Sequence, residues 1–296
     1  MSVPQITLNN GIEIPVVGFG VYRSKPEETE SAVQTAIESG YRLFDTAAAY
    51  NNERQVGEGL RQSGIQRSEL FVTTKLWLSY YGYERALQGF ELGMRKLGLD
   101  YLDLFLLHWP APSTFGATVE AFRAFAKLQA DGRIRAIGVC NFNPDHLERL
   151  IHETGIVPAV NQVELHPYFI QKDVRDADKR LGIATEAWSP IGGVNVYWAT
   201  DPTTARNPLE HPTVKGLAEK YSKTPAQVIL RWHIQHGNIV IPKSVRPERI
   251  RENINIFDFS LSEDEMKAVD AIDSGKRGGP DPNEFDLSKT KIQIEQ

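Results

Sequence analysis

The sequence predicts a (β/α)8 TIM barrel of the α/β class preceded by a short β-hairpin, and three observations carry that expectation. Strand-like and helix-like segments alternate about eight times over roughly 250 residues, the size and rhythm of such a barrel. Three apolar runs, YRLFDTA, ELFVTTKLW and LDLFLLHWP, end in polar or ionisable residues. If the strands lie parallel, those ends converge on one face. No G-x-G-x-x-G follows the first strand, which weakens the rival doubly wound sheet.

The elements follow in order. QITLNNGIEIP reads as a hairpin, with Asn10-Gly11 as a type I′ turn signal between two short alternating runs. Strands are expected at 41–46, 70–75, 102–108, 134–140, 160–164, 184–188 and 238–242, with a weaker eighth near 254–258. Helices are expected at 27–39, 52–62, 84–96, 118–130, 144–153, 171–181, 211–221, 225–235 and 262–272. Asn143-Pro144 supplies an N-cap and a proline at N1, and Gly155 can end that helix. Thr224 with Gln227, and Ser262 with Glu265, fit capping boxes. Gly40, Gly98, Gly132 and Gly182 punctuate helix ends. No linker or low-complexity segment divides the chain, so 1–296 reads as one barrel domain. The Gly/Pro-rich tail, 276–296, reads as a loop laid over one end of the barrel or as a partly disordered segment.

Bulk composition is that of an ordinary globular protein, 41% hydrophobic and 24% charged. A net charge of −5 argues against a nucleic-acid surface or a polybasic membrane anchor. The lone Cys140 excludes an intrachain disulfide framework. The N-terminus lacks a basic start and apolar run, and no stretch is apolar for long enough to span a bilayer. A cytoplasmic monomer with a small-molecule substrate is expected, without nucleic-acid or membrane partners.

Asp45, Tyr50, Lys75 and His108 lie at or just past the strand ends. Alone, each has an ordinary structural explanation: a cap, a packed ring, a paired amine, a satisfied histidine. Together they form a carbonyl-reducing set. A free tyrosine has a pKa near ~10 and is a reluctant acid–base group at neutral pH. A nearby ammonium favours the phenolate and should lower that value. Tyr50 is assigned as general acid, Lys75 as its tuner, Asp45 as the orienter of Lys75, and His108 as a neutral donor to the substrate oxygen. There is no H-x-H, H-E-x-x-H or C-x-x-C pattern, so no metal is expected. His233 and His236 share a helical face, read as solvated. The redox equivalent must then come from an organic cofactor.

The chain resembles the aldo-keto reductase family, and within it the bacterial 2,5-diketo-D-gluconate reductase-like branch. The resemblance rests on GFGVY (18–22), DTAAAYNNE (45–53), TTKLW (73–77), LLHWP (106–110), GVCNF (138–142), VNQVELHP (160–167), AWSPIGG (187–193), IPKSVRPERIREN (241–253) and the tail GKRGGPDPNEF. It implies the same four catalytic residues and an extended NADPH at the C-terminal mouth of the barrel. Asn141 and Gln162 would bond the nicotinamide carboxamide, which both donates and accepts. Trp188 would stack on the ring, where many members use tyrosine. Gly20, Val21 and Tyr22 would approach the cofactor, and Ser189, Pro190, Ile191 and Gly192 would line the pyrophosphate path. Lys243, Ser244 and Arg249 would take the 2′-phosphate, with Val245 in the same cofactor-binding stretch and Asn253 on the adenine; arginine forks and lysine point charges suit that group. Members commonly carry serine at the position of Cys140, and a thiol is the weaker donor. Tyr22, Trp77 and Trp109, with Trp198 beside them, would surround the carbonyl. A short loop after His108 suggests an open mouth and broad tolerance. Two other readings compete: a non-catalytic NADPH-binding regulatory or structural relative, and a metal-dependent barrel hydrolase.

Overall fold

Two short antiparallel strands, β1 (Gln5–Thr7) and β2 (Glu13–Pro15), open the computed structural model, which describes residues 3–198 and 206–295. The turn between them is not type I′. Among its residues only Gly11 has positive φ (83°), and its N–H donates to Leu8 O at 2.9 Å while Leu8 N–H donates to Ile12 O at 2.8 Å. This is a three-residue loop, a type I turn closed by a left-handed glycine. Asn9 and Asn10 keep ordinary backbone and donate their side-chain amides to Pro158 O and Arg135 O. The hairpin is thereby tied to the barrel's N-terminal end. Its Leu8 and Ile14 fill the barrel interior with Leu43, Leu104, Val160 and Ile239, contributing about 1.5–3 kcal/mol each.

Eight parallel strands follow: β3 (Gly18–Gly20), β4 (Leu43–Asp45), β5 (Phe71–Leu76), β6 (Leu102–Leu107), β7 (Ile134–Cys140), β8 (Val160–Glu164), β9 (Ala184–Trp188) and β10 (Ile239–Val240). Each pairs with its sequence neighbour. Parallel bridges Val17–Val240 and Gly20–Lys243 close the ring, giving the expected (β/α)8 architecture. The eighth strand was expected near 254–258, but that segment is the end of helix Pro247–Ile254 and the loop after it. Its alternation, INIFDF, arises because Ile256 tucks into the core while Gln227 and Arg231 hold the Asn255 and Ile256 carbonyls. The strand that completes the count is β3. It is three residues long and two of them are glycines. A Cβ on Gly18 would lie 2.5 Å from the Leu43 side chain, and one on Gly20 would lie 2.8 Å from Ile241 O. The tight closure of the ring demands glycine, and glycine removes the strand signal.

The helices that cover the ring start where the caps place them. Thr224 and Ser262 each accept from the N3 backbone N–H, completing two capping boxes. Asn143 forms a third with His146. Gly98, Gly155 and Gly182 take the left-handed conformation at helix C-termini. No helix among the described residues is long and apolar enough to cross a membrane. The last turn of this framework leads into the tail, whose final residue, Gln296, lies outside the described residues.

Candidate active site

Parallel register decides which side chains meet. Asp45 at the end of β4 pairs with Thr73 on β5, so Lys75, two residues further along, points to the same inward face. Lys75 Nζ donates to Asp45 Oδ1 and Oδ2 at 2.6 and 2.7 Å, to Thr46 O at 2.9 Å, and to the Tyr50 hydroxyl at 3.4 Å. Tyr50 arrives on a 3-10 turn, Ala48–Tyr50, which Asn51 ends in a left-handed conformation at φ 53°. Asn52 locks this turn: its side chain accepts from Thr46 Oγ1 and donates to Val21 O. His108 follows β6, its ring edge-on to Tyr50 with centroids 5.8 Å apart. The loop behind His108 is held by Tyr81, whose hydroxyl donates to Trp109 O at 2.7 Å and accepts from Trp109 N–H. All four residues expected at the strand ends therefore come together, with Asp45, Tyr50 and His108 lining a cavity of about 490 Å³ and Lys75 beneath it.

The electrostatics overturn one expectation. Lys75 was to lower the Tyr50 pKa. Instead, burial raises it well above the ordinary phenol value, and Asp45 and Cys140 add to the rise. Lys75 lies nearer to both oxygens of Asp45 than to Tyr50, so the two charges largely cancel at the phenol. Burial also raises Asp45, opposed by the Lys75 ammonium. His108 is pushed well below the imidazole range, first by burial and then by Lys75, and its ring is neutral at pH 7. Its Nδ1 is buried without a hydrogen-bond partner among the described residues.

On the opposite wall, Gln162 Nε2 donates to Asp45 Oδ2 at 2.9 Å and to Glu186 Oε2 at 2.8 Å. Asn141, at φ 66°, donates to His108 O and accepts from Trp188 Nε1 at 2.8 Å. A non-glycine residue held at positive φ stores strain, which gathers at functional sites; Ser189, at φ 51°, is a second case. Cys140 contacts both amides, its Sγ 3.7 Å from Gln162 Oε1 and 3.2 Å from Asn141 Nδ2. Burial pushes its thiol up, away from reactive thiolate chemistry.

From this floor the cavity runs past Gly20, Tyr22, Trp188, Ser189, Pro190 and Ile191 to Lys243. Gly192 shapes the turn rather than the wall, its N–H donating to Ser189 O, and Gly193 lines the cavity in its place. Val21 is buried behind the wall. Ser244 is buried, its Oγ accepting from Arg246 N–H; Val245 is half-buried and Arg249 exposed. Asn253 is buried on helix Pro247–Ile254. Lys243 alone of this cluster reaches the cavity.

Three features went unforeseen. Arg23 lies beside Lys243 at the cavity rim, its guanidinium 5.1 Å from the Tyr197 ring centroid. His233 is buried and not solvated: its Nε2 lies 2.9 Å from Pro190 O, propping the loop 189–191 from behind. The third is Glu186, fully buried on β9.

Trp77 and Trp109 wall the near end of the cavity with Tyr22 and Trp198. The tail crosses this end. Phe285 stacks on Trp109 with centroids 4.2 Å apart, and Pro280, Thr290 and Ile292 also line the cavity. Glu164 pins the tail, accepting from Gly278 N–H at 2.5 Å and Gly279 N–H at 2.9 Å.

The donor set fits an extended dinucleotide. Two side-chain amides lie beside an aromatic face at one end, a strained loop follows, and cations stand at the other end. A profile described as the Aldo/keto reductase family matches residues 17–274. The chain is 54% identical over 286 residues to morphine 6-dehydrogenase of Pseudomonas putida, covering 96% of each. It is 44% identical over 282 residues to the methylglyoxal reductase DkgA of Escherichia coli, covering 95% of this chain and 97% of that one. The crystal structure of a mutant of Gox0644 in complex with NADPH is similar with a TM-score of 0.88 at 41% identity, over 97% of this chain and 100% of that one.

Proposed function

The chain belongs to the aldo/keto reductase family, and from that premise we propose that it reduces aldehydes and ketones with NADPH, Tyr50 delivering the proton. The observation that carries this reading is the unbroken contact from Asp45 through Lys75 to Tyr50 at the cavity floor. A bound reduced nicotinamide would supply the hydride. The chain's own residues do the rest. A phenol whose pKa is raised stays protonated at pH 7, as a proton donor must. When Tyr50 releases its proton to the carbonyl oxygen, Lys75 at 3.4 Å stabilises the phenolate left behind. Neutral His108 directs the same oxygen. With the cofactor bound, Gln162 and Asn141 would hold its carboxamide, Trp188 would back the ring, and the loop at Ser189–Ile191 would line the phosphate path.

Aromatic walls and a tail folded over the mouth suit compact or flat apolar carbonyls. Small dicarbonyls and cyclic ketones are the candidates to test; of the two relatives, one is named a methylglyoxal reductase and the other a morphine 6-dehydrogenase. The purified protein is expected to oxidise NADPH when given such carbonyls. No oxidation with any member of a carbonyl panel, despite bound NADPH, would support a non-catalytic binding protein instead.

Two further outcomes follow from the walls of the cavity. Lys243 lines it, and Arg249 stands on the helix that begins at Pro247. A charge-assisted hydrogen bond is worth about 1.5–3 kcal/mol. Lys243→Ala and Arg249→Ala should each lower kcat/KM with NADPH roughly ten- to hundredfold and leave NADH nearly unchanged. Equal losses with both cofactors would remove these residues from the 2′-phosphate. At the tail, a Cβ on Gly279 would lie 2.8 Å from Trp188 Cη2 and 2.9 Å from Glu164 Oε2. Gly279→Ala should therefore displace the tail from Trp188 and raise KM for NADPH more than it lowers kcat. A KM equal to that of the wild type would show that Trp188 keeps its place without the tail.

A further inference from the structure

Glu186 stands directly below the reacting end of the cavity, and no part of the proton path described above uses it. It pairs in register with Gln162 on β8 and with Ile239 on β10. Gln162 uses one N–H on Glu186 Oε2 and the other on Asp45 Oδ2. With both N–H groups committed, Gln162 has only its carbonyl oxygen left to offer a ligand, and among the described residues the one partner of that oxygen is the weak Cys140 thiol. Glu186 Oε1 is fully buried and has no partner among the described residues. An ionised carboxylate cannot be left half bare in such an interior without large cost. The ammonium that would balance it, Lys75, is already bracketed by both oxygens of Asp45.

We propose that Glu186 is a positioning residue, an inference that rests on the carbonyl-reductase reading of the site. As a neutral acid it fixes the Gln162 amide with its carbonyl free for the cofactor's carboxamide. It also leaves Asp45–Lys75 as the single ion pair beneath Tyr50. Its ionisation adds a second negative charge there and suppresses proton delivery. The titratable groups that face it are Asp45 on β4, Lys75 on β5 and Cys140 on β7; β8 offers Gln162 and β10 an isoleucine. Burial, and then the Asp45 carboxylate, push Glu186 up to about 8. The acid is thus neutral at pH 7 and charged above that point. Added negative charge makes Tyr50 hold its proton more tightly, so the rate of reduction falls as pH rises through the Glu186 titration.

Two measurements test this. Infrared titration of the cofactor-free protein should show a carboxylic-acid carbonyl band at pH 7 that disappears as pH passes about 8 and is missing from Glu186→Gln. In the pH profile of kcat/KM for carbonyl reduction, the wild type should fall on the alkaline side where Glu186→Gln does not. The ratio of variant to wild type should therefore rise about tenfold between neutrality and one pH unit above the Glu186 pKa. Absence of the band at pH 7, or parallel pH profiles for the two proteins, would overturn the proposal. Should Glu186→Gln not fold, Glu186→Met serves for the same comparison, and the wild-type titration alone still decides whether the acid is neutral. A wild type that reduces no carbonyl would sink the underlying reading and the proposed role with it, whereas the infrared band reports the state of Glu186 independently.

Discussion

Replacing Tyr50 with phenylalanine is expected to lower kcat/KM for carbonyl reduction by about 10²- to 10⁴-fold, the usual range for loss of a positioned general acid. The hydroxyl faces the cavity and makes one long contact, with Lys75 at 3.4 Å. The ring keeps its packing beside Tyr22, centroids 5.0 Å apart, and edge-on to His108. Removing the oxygen therefore takes away the proton without disturbing the walls. NADPH affinity, measured by quenching of tryptophan fluorescence, should stay close to wild type, and the melting temperature should change little. A kcat/KM within a few-fold of the wild type would assign the proton to another group, with His108 the next candidate. His108 would be a poor one, because its imidazole stays neutral far below pH 7.

Most of this site could be read from the sequence because strand ends are conspicuous. Asp45, Lys75 and His108 each break an apolar run, and parallel pairing does the rest. The opposite wall of the cavity draws on the same signal: Asn141 follows β7, Gln162 lies within β8 and Trp188 ends β9. β3 was not legible, since Gly18 and Gly20 exist to admit neighbouring atoms and so carry no apolar pattern. Glu186 did leave a signal, a glutamate two residues before Trp188 and so on the same face of β9. It went unread because the motif that carries the resemblance, AWSPIGG, begins one residue later, at Ala187. Tyr197 ends a short helix, Val194–Tyr197, and Phe285 lies far away in the tail; no local rule places such connecting segments against a barrel mouth. The sign of the Tyr50 shift was misjudged for a physical reason. Residue types alone say that an amine and a carboxylate are near a phenol, but the balance between them depends on distances of a few tenths of an ångström.

Those same distances set the second large effect, that of Lys75→Met. The side chain is fully buried, and among the described residues its ammonium is the only charged partner that Asp45 has. Methionine fills the volume but leaves a carboxylate alone in the barrel interior. Breaking a buried pair from one side costs about 3–5 kcal/mol, which for a chain of this size lowers the melting temperature by roughly 10 °C. The loss should depend on pH in a defined direction. Without Lys75, the Asp45 pKa in the folded protein rises further above its unfolded value. The folded state then tolerates the neutral acid and rejects the anion, so the deficit is small below the unfolded carboxyl pKa and grows as pH rises through the folded one. Activity should fall at least as far as in Tyr50→Phe, because the phenolate left after proton transfer loses its counter-charge. The double variant Asp45→Asn/Lys75→Met separates the two roles. It removes the stranded charge, so most of the stability should return while activity does not. If the double variant melts as low as Lys75→Met alone, the pair is held by packing and not by charge. If it regains carbonyl reduction, neither residue stabilises the Tyr50 phenolate.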